Sequence, residues 1–193
     1  MREEKGCRNM IRFAQKEDCS KLYDLLLEIF LDMELEVFEQ LSPTIMKQWM
    51  VESMQKSDSR YSYKNALVFV ENNQILGCAF GYKGELEQSL TRPLQESFAE
   101  KGWEIFPDAE TFSGEWYLDS LVVHSDFRKK GIAQALIQAL PKLAKSQGET
   151  VIGLNCDHEN SKARVLYEKM GFRKTSDWVI GEHTYDHMQL EVE

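Results

Sequence analysis

The residues of this sequence best suited to chemistry stand together at RKKGIA, Arg128 to Ala133, between a strand-like run, EWYLDSLVV, and a helical run, QALIQAL. A helix begins with about four backbone N–H groups that have no carbonyl partner, and its peptide dipoles leave roughly half a positive charge there. Such a helix start is a cradle for phosphate. Gly131 and Ala133 keep side-chain bulk from holding a pyrophosphate off those amides, and Arg128, Lys129 and Lys130 add charge. Between residues 125 and 148 there are five basic residues and one acidic, in a chain of formal net charge -9. Surface charges farther apart than ~8 Å are largely screened at physiological salt, so this local excess can draw an anion to an acidic protein. The two common phosphate loops are absent: there is no G-x-x-x-x-G-K-[ST], and no G-x-G-x-x-G follows a strand.

RKKGIA fits the [R/Q]-x-x-G-x-[G/A] pyrophosphate loop of the GNAT superfamily of N-acetyltransferases, at the matching strand-to-helix junction. NSKARVLYEKMGF, Asn160 to Phe172, is similar to that family's N-x-x-A-x-x-L-Y-x-x-x-G-F signature, in the same order and at a matching distance. The motifs cover residues 115–172, and the order of elements extends the resemblance to most of the chain.

The resemblance implies acetyl transfer from acetyl-CoA, as co-substrate, to a primary amine. It assigns Arg128, Lys129, Lys130, Gly131, Ile132 and Ala133 to the pyrophosphate. Leu121, Val122 and Val123 would line the pantetheine arm, with Asn155, Asn160, Ala163 and Tyr167 completing the cofactor site. Tyr167 would protonate the departing thiolate, or else only pack on the buried stripe of its helix. Asn160 reads equally as an N-cap.

An amine with a lysine-like pKa near 10.4 is mostly protonated at neutral pH, so reaching its nucleophilic form costs about 4–5 kcal/mol. A base is therefore useful. Glu115, Tyr117 and Asp119 alternate along one strand and are expected to share a face, which in this family borders the acceptor site. Asp119 is the first choice and Glu115 the second, with a plain backbone hydrogen bond or a grip on the substrate ammonium as alternatives for Asp119. Residues 84–115 hold eight acidic and two basic residues, a charge pattern that would attract a small cationic acceptor or be a solvated face. Trp103, Phe106, Phe112 and Trp116 suit a lid, a pocket wall or ordinary packing. His183 and His187 lie four residues apart on a likely strand, roughly 13 Å, too far to share a metal. No metal is expected.

These residues need a scaffold. The pattern predicts a strand at Met10–Ala14, a helix from Asp18 through Leu22, Leu25, Leu26, Ile29 and Met33, and a second helix opened by Ser42 and Pro43 that ends in the polar run Gln55 to Arg60. A hairpin turns at Asn72 and Asn73. Residues 84–114 depart from the family's short turn between the third and fourth strands and read as an insertion, with Pro93 opening a helix that Gly102 closes. A helix with Ile132, Leu136, Leu140 and Leu143 on one face follows the glycine turn, and Pro141 inside it predicts a kink near Ile137. A strand at VIGLNCD, a helix from Asn160 to Met170 capped by Gly171, and two tail strands, around Trp178–Ile180 and Tyr185–Val192, complete the pattern. The expected fold is one α/β (α+β) domain over 1–193. Its mixed, mostly antiparallel sheet splays between the fourth and fifth strands, with helices on both faces.

The 193 residues are 42% hydrophobic and 28% charged, ordinary for one globular core. The net acidity argues against nucleic acid and anionic membranes as partners, and no apolar run reaches the ~20 residues of a membrane span. Four scattered cysteines without a Cys-x-x-Cys pair fit a reducing cytoplasm. A monomer or homodimer acting on a small-molecule amine is the expectation. A protein or peptide N-acetyltransferase and a non-catalytic acyl-CoA-binding module are the alternatives.

Overall fold

A computed structural model describes residues 9–32, 40–105 and 107–192; Cys7, Met33 and Phe106 lie outside them. Among the described residues seven strands form one sheet: β1 (Met10–Phe13), β2 (Ala66–Glu71), β3 (Gln74–Lys83), β4 (Trp116–Val123), β5 (Val151–Asp157), β6 (Arg173–Ile180) and β7 (His183–Glu191). They run in the order β1-β2-β3-β4-β5-β7-β6. Every neighbouring pair is antiparallel except β4 and β5. That parallel pair is joined only at Trp116–Ile152 and Tyr117–Gly153, so the two strands part beyond Tyr117 and the sheet splits.

Among the described residues five α-helices cover the two faces: α1 (Cys19–Asp32), α2 (Pro43–Met54), α3 (Glu87–Ala99), α4 (Ile132–Ser146) and α5 (Ser161–Lys169). On one face Leu22, Leu26 and Phe30 of α1 and Met46 and Met50 of α2 pack on Val68, Cys78 and Phe80. On the other, Leu136, Ile137 and Leu140 of α4 pack on Leu76, Leu118 and Ile152. Local chemistry sets several boundaries. The Ser42 hydroxyl accepts from the Ile45 amide ahead of Pro43, which suits the first turn because it lacks an N–H. Asn72 and Asn73 both take positive φ, the conformation of a tight hairpin turn.

One proline behaves differently from the sequence expectation. Pro93 does not open a helix but lies inside α3, which begins six residues earlier at Glu87. Its buried face, Thr91, Leu94 and Phe98, docks on α2 with Phe98 edge-on to Trp49 at 5.9 Å. Pro141 lies inside α4, which continues past it as one helix. An internal proline costs about 3 kcal/mol, but burying Ile132, Leu136, Ile137 and Leu140 contributes about 1.5–3 kcal/mol each, so packing prevails. The tail strand expected around Trp178 is longer, starting at Arg173.

In β4 the register with β3 slips: Phe80 pairs with Ser120 and Gly81 with Leu118, leaving Asp119 as the extra residue of a bulge. Among the described residues no helix is long and apolar enough to cross a membrane.

Candidate active site

The split between β4 and β5 opens a cavity of about 470 Å3. Its wall runs from Asp119, Ser120, Leu121, Val122 and Val123 on β4 to Asn155 and Asp157 on β5, then Asn160 and Tyr167 of α5. Glu28 and Ile29 of α1 and Arg128 stand at the β4 side.

The glycine turn flanks this cavity. Lys129 and Gly131 both have positive φ, 64° and 81°, and Gly131 is the N-cap of α4. The first bond of α4 is from the Ala135 amide to the Gly131 carbonyl, so the amides of Ile132, Ala133 and Gln134 precede the ladder. Nothing crowds Gly131 more closely than 3.7 Å. Left-handed backbone, open space and the neighbouring Lys129 and Lys130 suit a pyrophosphate. Arg128 donates from Nε to the Val123 carbonyl (3.1 Å) and from Nη2 to Glu28 (2.5 Å), linking the turn to α1.

Asn160 caps α5, its Oδ1 accepting from the Ala163 amide at 3.1 Å, and also lines the cavity. Tyr167 is half-buried, edge-on to Phe172 at 5.8 Å. Burial, with a smaller contribution from Cys156, pushes its phenol above the ordinary tyrosine value, so it stays protonated at neutral pH.

At the inner end of the cavity lies a cluster of charged and hydroxyl groups of which the sequence pattern singled out Asp119 and Tyr117 but not Arg60, Tyr82 or Glu110. Arg60, with its side chain 4% exposed, donates from Nε to Asp119 Oδ1 and from Nη2 to Glu110 Oε1, both at 2.6 Å. Burial opposes the guanidinium charge, but the Asp119 and Glu110 carboxylates outweigh it and hold its pKa well above the ordinary value. Asp119 also accepts from Tyr82 Oη (3.1 Å) and Ser120 Oγ (2.8 Å). Glu110 accepts from Tyr117 Oη at 3.0 Å. Burial pushes the Tyr82 and Tyr117 phenols well up, so both are donors.

Asn155 ties this cluster to the far arm of the sheet. Its Nδ2 donates to the Glu110 carbonyl (2.8 Å) and to Tyr117 Oη (3.2 Å), which turns its Oδ1 toward His187 Nδ1 at 2.8 Å. A carbonyl can only accept, so the amide orientation is set and His187 Nδ1 donates. His187 Nε2 lies 3.0 Å from Glu115 Oε2, which also accepts from Gln189.

The sequence-selected residues therefore divide. Asp119, Leu121, Val122, Val123, Arg128, Asn155, Asn160 and Tyr167 share the cavity wall. Lys129 to Ala133 form the turn and helix start beside Arg128, and Ala163 serves the α5 cap. Glu115 is outside the wall, buried beneath it against His187. Arg60 and Glu110 lie 59 and 50 residues from their respective partners, Asp119 and Arg60, and nothing local marks either as buried. The only sequence hint was the excess of carboxylates in 84–115, which an internal cation has to balance. His158, Asp177 and Asp186 also approach one another within 4.8 Å, but Lys174, at 2.8 Å, and Arg164 already pair with Asp186.

The sequence matches the acetyltransferase (GNAT) family over residues 19–172. A crystal structure described as an acetyltransferase is 39% identical, with a TM-score of 0.86, covering 95% of this chain and all of that one. An N-acetyltransferase from Staphylococcus aureus Mu50 is 27% identical, with a TM-score of 0.78 over 94% of this chain and 100% of its own. GCN5-related N-acetyltransferase 4, chloroplastic, of Arabidopsis thaliana is 44% identical over 61 residues, 32% of this chain. That match spans only 21% of the plant protein. With a family match over most of its length and a solved relative aligned end to end, the chain belongs to the acetyltransferase (GNAT) family.

Proposed function

We propose that this protein transfers an acetyl group from acetyl-CoA to the primary amine of a small cationic molecule. The observation that carries this is the inner end of the cavity, where two carboxylates, Glu110 and Asp119, meet one guanidinium, Arg60, and leave one net negative charge. A further carboxylate, Asp157, lies along the wall. An ammonium group is favoured there and a carboxylate substrate is not.

The split sheet and the glycine turn suit the acyl donor. Arg128 and the first amides of α4 would hold its pyrophosphate, and the β4 segment Leu121–Val123 would flank its arm. When bound, it supplies an activated thioester carbonyl. Tyr167 would donate a proton or a hydrogen bond to the leaving sulfur. This chemistry needs no metal, and the His158, Asp177 and Asp186 group reads as a surface ion-pair network. The free, buried thiols of Cys19, Cys78 and Cys156 support a reducing, cytoplasmic setting.

The test is acetyl-CoA consumption by the full chain over a panel of polyamines, amino sugars and lysine- or N-terminus-bearing peptides. Turnover on small cationic amines is expected. Turnover on peptides alone would replace the acceptor assignment, and binding of acetyl-CoA without turnover on any amine would leave only a non-catalytic acyl-CoA module.

A further inference from the structure

We infer that Glu110, carried into the cavity by the segment between α3 and β4, is the group that takes the proton from the incoming amine. This rests on the amine acetyl transfer proposed above.

The segment is built to hold one carboxylate in place. The Glu110 amide donates to Glu87 Oε1 at 2.9 Å, and its carbonyl accepts from Asn155 at 2.8 Å. On one side of it, Thr111 Oγ1 donates to the Gly84 carbonyl and to Glu87 Oε2, both at 3.0 Å. On the other, the Ala109 carbonyl accepts from Trp178 Nε1, and Asp108 accepts from the Gly181 amide, both at 2.8 Å. Glu110 is thus pinned from α3, β5 and the β6–β7 hairpin at once. A surface loop with a merely solvating acid does not need five anchoring residues, Gly84, Glu87, Asn155, Trp178 and Gly181.

Comparison with the two carboxylates on or beside β4 points the same way. Asp119 accepts three hydrogen bonds, from Arg60, Tyr82 and Ser120, and its side chain is 2% exposed. It is the fixed counter-ion of Arg60. Glu115 is 1% exposed, outside the cavity wall, and engaged by His187, Gln189 and the Phe112 amide. Glu110 lines the cavity, is 12% exposed at the side chain, and among the described residues its carboxylate accepts from Arg60 Nη2 and Tyr117 Oη. Two carboxylate oxygens offer about four acceptor positions, so capacity remains for an amine or a bridging water.

The groups facing Glu110 define how it titrates: Arg60 after α2, Tyr61 beside it, Tyr82 on β3, Glu87 on α3, Asp119 and Tyr117 on β4, and Tyr185 on β7. Burial, aided by the neighbouring Asp119 charge, pushes the Glu110 carboxyl above the ordinary glutamate value, while Arg60 and Tyr117 restrain the rise. A carboxylate raised toward neutrality is a better proton acceptor, because its conjugate acid lies closer to the working pH. The four tyrosines stay protonated, and of them Tyr82 donates to Asp119 and Tyr117 to Glu110.

In the step, an N–H proton of the ammonium passes to an Oε of Glu110, leaving a neutral amine and a carboxylic acid. The amine nitrogen bonds the acyl carbon, and the second N–H proton and the C–S bonding pair leave with sulfur as a thiol. Glu110 then returns its proton to water through the open cavity. No oxidant, reductant or metal enters the balance.

The experiment compares initial rates of wild type, Glu110→Gln and Asp119→Asn from pH 5.5 to 9.5, using the best amine from the panel, with thermal unfolding as a fold control. Glu110→Gln keeps an oxygen for Arg60. It is expected to lower kcat about 100-fold at pH 7 and to abolish the acid limb of the kcat profile, with acetyl-CoA KM unchanged. Asp119→Asn is expected to lower stability while the acid limb persists. Retention of kcat and of the acid limb in Glu110→Gln overturns the inference, as does a raised amine KM with kcat unchanged, which is the signature of an ammonium anchor. Should Glu110→Gln fail to fold, wild type alone decides. The acid limb of kcat stays at one pH for amines of different pKa if it belongs to Glu110, and moves with the amine if it does not. Absence of wild-type turnover on every cationic amine removes the proposed function itself, and the inference falls with it.

Discussion

Replacing Arg60 by methionine tests the energetics of the inner cluster. The substitution keeps most of the side-chain volume but leaves Asp119 and Glu110, with side chains 2% and 12% exposed, facing each other with no counter-ion. Removing one partner of a buried ion pair costs about 3–5 kcal/mol, chiefly from the charge left behind. For a chain of this size each kcal/mol lowers Tm by about 2–4 °C, so a fall of roughly 6–20 °C is expected. The loss has a definite pH dependence. Without Arg60, burial and the neighbouring Asp119 charge hold the folded pKa of Glu110 still further above its unfolded value of about 4. Groups raised in this way favour the fold below the unfolded pKa and lose that contribution as pH rises through the folded pKa. The deficit of Arg60→Met is therefore full at pH 8 and smaller at pH 5. Urea unfolding followed by tryptophan fluorescence at both pH values measures it. Adding Glu110→Gln and Asp119→Asn to Arg60→Met removes both stranded charges and is expected to recover about 2 kcal/mol or more at pH 8. A deficit below about 1 kcal/mol, or one equal at both pH values, refutes the reading of this cluster as a buried, charge-balanced triad.

Tyr167→Phe keeps the ring packed on Phe172 and removes only the proton donor, so a fall in kcat of about 100-fold is expected with acetyl-CoA affinity retained; equal kcat means that Tyr167 only packs. Gly131→Val forces a branched side chain into a φ of 81°, at a cost of about 1–3 kcal/mol, and is expected to raise acetyl-CoA KM more than it lowers kcat; titration calorimetry with CoA checks the affinity directly. A methyl at Gly84 would overlap the Phe112 carbonyl oxygen, so Gly84→Ala must shift the strap that holds Glu110. Its kcat/KM for the amine is expected to fall while CoA affinity holds, and an unchanged kcat/KM argues against the strap as a precise support. His187→Leu removes the partner of Glu115, both side chains being 1% exposed, and is expected to cost about 3 kcal/mol in urea unfolding. A loss under about 1 kcal/mol shows that Gln189 and the Phe112 amide suffice for that carboxylate.

What was legible in the sequence is what neighbouring residues decide together. Ser42 ahead of Pro43 marks a helix start because cap and missing N–H act within one turn. Asn72 and Asn73 mark a hairpin because both tolerate left-handed backbone. Pro93 went differently for a reason that is not local: whether a helix outlasts an internal proline depends on how much surface it buries, and that surface belongs to other elements. Docking on Trp49 keeps α3 together, and the core under Leu136 and Leu140 keeps α4 together.

The same division runs through the site. By itself, the sequence determined the glycine turn at the start of α4 and the cap of α5, since Gly131 and Asn160 set their conformation and hydrogen bonds within their own backbone and the next turn of helix. Only the tertiary structure decided the inner chemistry. The bulge sets Asp119 beside Arg60, the strap from 84–114 brings Glu110 to the same guanidinium, and Glu115, two residues from Tyr117, passes beneath the wall to His187. An ion pair is set by distance and burial, and both of these are properties of chain segments 50 or more residues apart.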